Sequence, residues 1–253
     1  MPAPLLLLSM QTYGKPGGVP TYTRRLAELL YEYGQSHSRP LLSVCLSDTA
    51  CEPEQHARPV RYGAFHAAAG SKRSFIGGAI GMTFARRGGL AIVAHIGLAP
   101  VALLLKRLGL IDSYFIVLHG IEVWRRVDWA DGIAARAAAK NIATTGYTAR
   151  VFGEANNIPA GRLHVIPLAL PDDDLPPAPV PRENPTFEIL TAGRLHAAER
   201  YKGVDTLLEA VSRLRERGIA ARLTIVGEGD DLPRLQEQQA RLHLDGNVTF
   251  LRR

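Results

Sequence analysis

Cysteine is nearly absent: the 253 residues hold two, Cys45 and Cys51. Neither sits in a Cys-x-x-Cys pair or a Cys/His cluster, so the sequence supports no disulfide framework and no zinc site. A reducing, cytoplasmic setting fits. The opening "MPAPLLLLSMQ" lacks a basic start and its apolar run is too short, so it is not expected to be a signal peptide. No hydrophobic run is long enough to span a membrane. The longest apolar region, Gly89 to Leu105, is broken by His95 and Pro100 and reads better as strand, turn and helix. Negative charge is in deficit, with 24 Asp and Glu against 30 Lys and Arg, a net charge of +6 and a sequence pI near 9.5. That excess favours an anionic partner: a phosphate-bearing ligand, an acidic membrane surface or nucleic acid. No run of Lys and Arg is interleaved with aromatics, which makes nucleic acid the weakest of the three.

What is present is an alternation of strands and helices. Leu5 to Ser9 is a continuous apolar run, as expected of a strand buried on both faces of a parallel sheet. The loop "YGKPGGVP" follows, then "TYTRRLAELLYEYG" with a helical period that predicts a helix ending at Gly34. Further strands are predicted at "PLLSVCLS", "LAIVAHI", "YFIVLHG", "KNIATTG" and "RLHVIPLAL" (residues 162–170). Helices are predicted over 100–108, 128–140 and 148–157. Residues 171–185 hold six prolines and four acids, a composition that neither helix nor sheet tolerates, and read as a linker. The alternation then restarts: strand "TFEIL", helix 204–217, strand "ARLTIVG", helix 231–244, strand "NVTFL". The predicted organisation is α/β: one doubly wound domain over 1–170, the linker 171–185, and the first half of a second domain over 186–253. So short a second unit is marginal alone and leaves the "NVTFL" edge unpaired.

In a doubly wound sheet, ligands bind beyond the carboxyl ends of the strands, and four loops there carry candidate residues. Gly17 and Gly18 would let a ligand approach bare backbone before a helix N-terminus, or serve a tight turn. The loop matches neither the dinucleotide fingerprint nor a P-loop. His119 directly follows a strand and could contact a substrate hydroxyl or stabilise a transition state; local hydrogen bonding is the plainer reading. His95 is a weaker candidate of the same kind, and Glu122 would favour a helix start. Thr144 to Arg150 could touch substrate or cap the next helix. Arg194 and Lys202 stand eight positions apart between a strand and a helix, suited to phosphate oxygens without a metal, or equally read as two surface charges. After the next strand, Gly227 and Gly229 allow close backbone approach. Ser71 to Arg87, basic at both ends around an apolar middle, reads as a buried helix or as a peripheral membrane contact.

The strings "GGVPTYTRRLAELL", "LHGIEVW", "TGYTARVF", "IPAGRLHVIPLAL", "GRLHAAERYKGVDTLLEAVSRL" and "LTIVGEGDDLPRLQEQQARLHLDGNVTFL" run in order along the chain. Together they resemble glycosyltransferase family four, the "glycosyl transferases group 1" type with the GT-B fold. The resemblance implies two Rossmann-like domains with a cleft between them and a nucleotide-sugar donor held mainly by the second. Transfer to a glycan or lipid-linked acceptor is usually retaining and metal-independent, in polysaccharide or glycoconjugate assembly. No resident cofactor is implied. By residue, Gly17 and Gly18 would approach the donor phosphates, His119 would face the donor sugar, and Arg194 and Lys202 would hold the leaving diphosphate, with Gly227 beside them. The setting implied is cytoplasmic, with a peripheral position at the inner membrane face as an extension. The chain departs from the family in one respect: the Glu-x7-Glu motif and closing helix lie beyond "VTFLRR", which implies a C-terminally truncated transferase. Two readings therefore stay open, an enzyme and a non-catalytic fragment that binds acceptor or membrane. A third, a GT-B epimerase or an oxidoreductase, suits the "GRL" and "YKG" strings poorly.

Overall fold

The computed structural model describes residues 2–14, 17–49, 63–169 and 186–252. The chain divides into two compact units, Met1–Pro171 and Asp172–Arg253. The predicted linker and Cys51 lie outside the described residues.

The first unit carries seven strands: β1 (Leu5–Ser9), β2 (Leu41–Cys45), β3 (Ala64–Ala67), β4 (Leu90–Val93), β5 (Ser113–Leu118), β6 (Lys140–Ala143) and β7 (Leu163–Val165). They form one sheet in the order β3-β2-β1-β4-β5-β6-β7, every neighbour parallel. β1 is central, and its leucines feed two cores. Leu5 and Leu7 pack toward α1 (Gly18–Ser36) with Ala27 and Leu41. Leu6 and Leu8 join Phe75, Ala102 and Tyr114 on the opposite face, beneath α2 (Lys72–Phe84), α3 (Ala99–Arg107) and α4 (Trp129–Ala137). A strand buried on both faces needs a continuous apolar run, not an alternating one, which is why "LLLL" stands there. The chain winds outward from β1 to β3, then returns to β4 on the other side of β1. The loops after β1 and β4 therefore part at the switch point, where ligands enter such sheets.

Two local expectations need correction. α1 does not stop at Gly34 but runs to Ser36. Gly34 is a contact point, since a Cβ there would lie 2.4 Å from the Arg39 carbonyl oxygen. The strand predicted over 162–170 contracts to β7, because Pro167 supplies no N–H and the last rung is Ile166 N–H to the Ala143 carbonyl at 3.0 Å. Within residues 71–87, α2 spans Lys72–Phe84, capped at Ser71 and buried along Phe75, Ala79 and Thr83, which agrees with the buried-helix reading. β3, only four residues long, was not anticipated. Cys45 is a buried free thiol whose pKa burial pushes up. Among the described residues no helix is long and apolar enough to cross a membrane.

The second unit has β8 (Phe187–Ala192), α6 (Val204–Glu216), β9 (Ala221–Val226), α7 (Leu232–Arg241) and β10 (Val248–Leu251), counting α5 as Gly146–Asn156 of the first unit. Its parallel sheet runs β10-β9-β8. Leu208, Val211, Leu223, Ile225 and Leu235 form its core against the two helices. Among the described residues both β10 and β8 have a neighbouring strand on one side only, and Leu190 on the face away from the core is 70% exposed.

Candidate functional site

In the first unit the loop after β1 is held by a residue the sequence reading passed over. The buried Asp48 carboxylate, just beyond β2, accepts the backbone N–H groups of Thr12, Tyr13 and Gly14 at 3.1, 2.6 and 3.1 Å. Ser9 and Thr12 hydroxyls bond each other at 2.9 Å. The loop delivers the chain to Gly17, at φ 157° and ψ 164°, a conformation that is essentially glycine's alone. Gly18 then opens α1 with nothing within 4 Å of where its Cβ would stand. The first turn of α1 has neither a side-chain cap nor an acidic residue, so its partial positive charge is not offset there. One turn on, Tyr22 meets His119 edge to face, with centroids 5.2 Å apart. Gly18 and His119 thus flank the same tyrosine.

His119 is tightly seated. Its Nε2 lies 2.8 Å from the Ala94 carbonyl oxygen. A carbonyl only accepts, so Nε2 carries a proton, and in the neutral ring Nδ1 is left as the acceptor. The His119 N–H donates to Glu122 Oε1 at 2.7 Å, and Thr144 Oγ1 donates to the His119 carbonyl at 2.9 Å. Thr145 caps α5 by accepting Thr148 N–H at 3.1 Å, while Thr148 Oγ1 accepts the Trp124 indole N–H at 3.1 Å. The hydroxyl-rich stretch therefore braces the turn that presents His119. His95 caps a 3-10 turn, its Nδ1 accepting Gly97 N–H at 3.1 Å, and burial lowers its pKa.

In the second unit the loop after β8 and the loop after β9 are laced together. Gly193 N–H donates to Val226 O, Leu195 N–H to Glu228 O, and Asp231 N–H to Leu195 O, at 2.9, 2.8 and 2.9 Å. The lacing leaves no room for a side chain at Gly227, whose Cβ would fall 1.9 Å from the Gly193 carbonyl oxygen. The close approach that Gly227 permits is thus to its own chain. A 3-10 turn, Ala197–Lys202, follows, pinned where Asp230 accepts Ala197 N–H at 2.8 Å. This turn carries Lys202 back toward Arg194.

The two cations converge on one carboxylate, Glu199, the second residue the sequence reading did not single out. Arg194 Nη2 bonds Oε1, and Lys202 Nζ bonds Oε2 at 2.7 Å. The Glu199 side chain is 15% exposed, Arg194 63% and Lys202 34%. Lys202 foremost, with Arg194, holds the Glu199 carboxyl below its ordinary range. Deeper in, Asp231 accepts from Arg234 at 2.6 and 2.8 Å and from Arg200 at 2.7 and 3.0 Å. Arg234 and then Arg200 depress its pKa strongly. Among the described residues no group of three or more His, Cys, Asp or Glu is placed to hold a metal ion.

Residues 186–253 match the family model described as glycosyl transferases group 1. No curated protein matches the chain. HepE of Anabaena, solved in complex with UDP, superposes with a TM-score of 0.71 at 15% identity, covering 98% of this chain and 69% of HepE. The lipopolysaccharide outer core galactosyltransferase WaaB gives 0.67 at 15%, covering 98% and 67%. The UDP-N-acetylglucosamine 2-epimerase of Rickettsia bellii gives 0.53 at 16%, covering 98% and 68%. The likenesses establish the GT-B fold, which an epimerase shares. The sequence match falls on the segment of the second unit that bears Arg194, Glu199 and Lys202.

Proposed function

We propose that the chain binds a nucleotide sugar and transfers the sugar to a glycan or lipid-linked acceptor, with retention of configuration and without a metal. The convergence of Arg194 and Lys202 on one anion at the carboxyl end of β8 carries this reading. When the glycosidic bond to phosphate breaks, a nucleoside diphosphate leaves with added negative charge. Two fixed cations answer that charge where it develops, and such preorganised groups give the largest catalytic return. Arg194 offers a planar fork and Lys202 a point charge, a pairing matched to two linked phosphates. To His119 we assign contact with the donor sugar through Nδ1, and to the open side of Gly18 the approach of phosphate. The HepE structure with UDP supports a nucleoside diphosphate as the ligand class. On the acceptor side, the exposed Phe84 beside Arg87 (guanidinium 5.0 Å from the ring) and the cations Lys72 and Arg73 at the start of α2 support contact with an anionic lipid surface. Flotation with phosphatidylglycerol vesicles should carry the protein, and protein left at the bottom of the gradient rejects that contact.

The test of transfer is release of nucleoside diphosphate from a panel of UDP-, GDP- and ADP-sugars. Lys202→Ala should lower turnover by roughly 100-fold or more. Equal turnover in the variant refutes the assigned role, and binding of a sugar nucleotide with no release by either protein selects the binding-only alternative.

A further inference from the structure

Glu199 supplies the anion that the two cations hold in the ligand-free protein. We propose that it is a positioning residue and an internal competitor: it sets the spacing of Arg194 and Lys202 and weakens their grip on phosphate. This rests on reading that pair as the diphosphate site. Each carboxylate oxygen takes one cation, so the two are fixed about a single carboxylate. Glu199 is the least exposed of the three, so it lies beneath cations that stand out toward solvent. Its backbone is held in place, because Glu199 N–H donates to His196 O at 2.8 Å within a turn pinned by Asp230. Carboxylate and phosphate oxygens compete for the same charged donors. The trio carries a net charge of +1, and removing Glu199's charge would make it +2. A site tuned in this way grips the diphosphate firmly enough to orient it and loosely enough to let the product go.

The experiment is titration of inorganic pyrophosphate into the whole protein and into Glu199→Gln, which keeps the shape and removes the charge. Glu199→Gln should bind about fivefold more tightly at low salt, since each exposed ion pair weighs under about 1 kcal/mol. The gain should fade as ionic strength rises and vanish when Lys202→Ala is added. In steady-state assays, Glu199→Gln should lower the donor KM and also lower kcat, a split that a merely structural role would not give. Unchanged or weaker pyrophosphate binding in Glu199→Gln overturns the proposal while the diphosphate reading stands, provided Arg194→Ala and Lys202→Ala still lose binding. If those two variants bind as the parent does, the diphosphate reading itself falls. Should Glu199→Gln fail to fold, the parent still decides. Saturating pyrophosphate should shift the carboxyl carbon resonance of Glu199, and an unmoved resonance overturns the proposal.

Discussion

Gly18 and Gly227 lack side chains for opposite reasons. A Cβ at Gly18 would meet open space, whereas one at Gly227 would collide with the Gly193 carbonyl. Gly18→Ala should therefore leave the melting temperature within about 2 °C, alanine being the better helix former, and should raise the donor KM if phosphate approaches there. Gly227→Ala should cost at least ~2 kcal/mol through forced rearrangement of a backbone region that side chains avoid. Thermal unfolding with donor kinetics separates the two, and a Gly18→Ala protein with normal KM removes that residue from the site. Arg194 and Lys202 were legible in the sequence because a strand end and a helix start bracket them. Glu199 was not. "HAAERYKG" has no period to read, and only the 3-10 turn brings positions 194, 199 and 202 to one point. Asp48 was hidden similarly, since its three N–H partners lie at least 34 positions away in sequence.

At the scale of elements, Asp231 ties the start of α7 to the turn after β8 through Arg200 and Arg234. Its pKa in the folded chain is depressed below the ordinary 3.8, chiefly by hydrogen bonds from Arg234. The sign follows: the stabilisation is fully present above about pH 4 and is lost as pH falls toward the folded value. Asp231→Asn should cost roughly 1.5–3 kcal/mol at pH 7, the range for hydrogen bonds to charged groups, and the cost should shrink near pH 3. Denaturant unfolding of both proteins at the two pH values measures it, and an equal difference at both would contradict the assignment. Elements with strong patterns, such as β1 and α6, could be read directly. β3 is four residues without a distinct period, and α2 is glycine-bearing and apolar around most of its girth, so contacts with the sheet rather than periodicity define them.

Across the whole molecule, the strand order explains where chemistry can occur. The first sheet winds outward from β1 and returns at β4, placing the Gly17–Gly18 loop and the His119 turn on the carboxyl edge. The second sheet puts Arg194, Glu199 and Lys202 on its own carboxyl edge. The alternation of strands and helices made both sheets legible. Leu190 of the second is exposed, because burial in a parallel strand depends on what lies across the sheet. The central claim is that this edge binds a nucleoside diphosphate through Arg194 and Lys202. Its most direct test is calorimetric titration of UDP, GDP and ADP into the parent protein and the Arg194→Ala/Lys202→Ala double variant at two salt concentrations. At least one of them should bind the parent, with affinity weakened about 100-fold or more in the double variant, two charge-assisted contacts at roughly 1.5–3 kcal/mol each, and with a shallower salt dependence there. Equal affinity and equal salt dependence in the two proteins would contradict it.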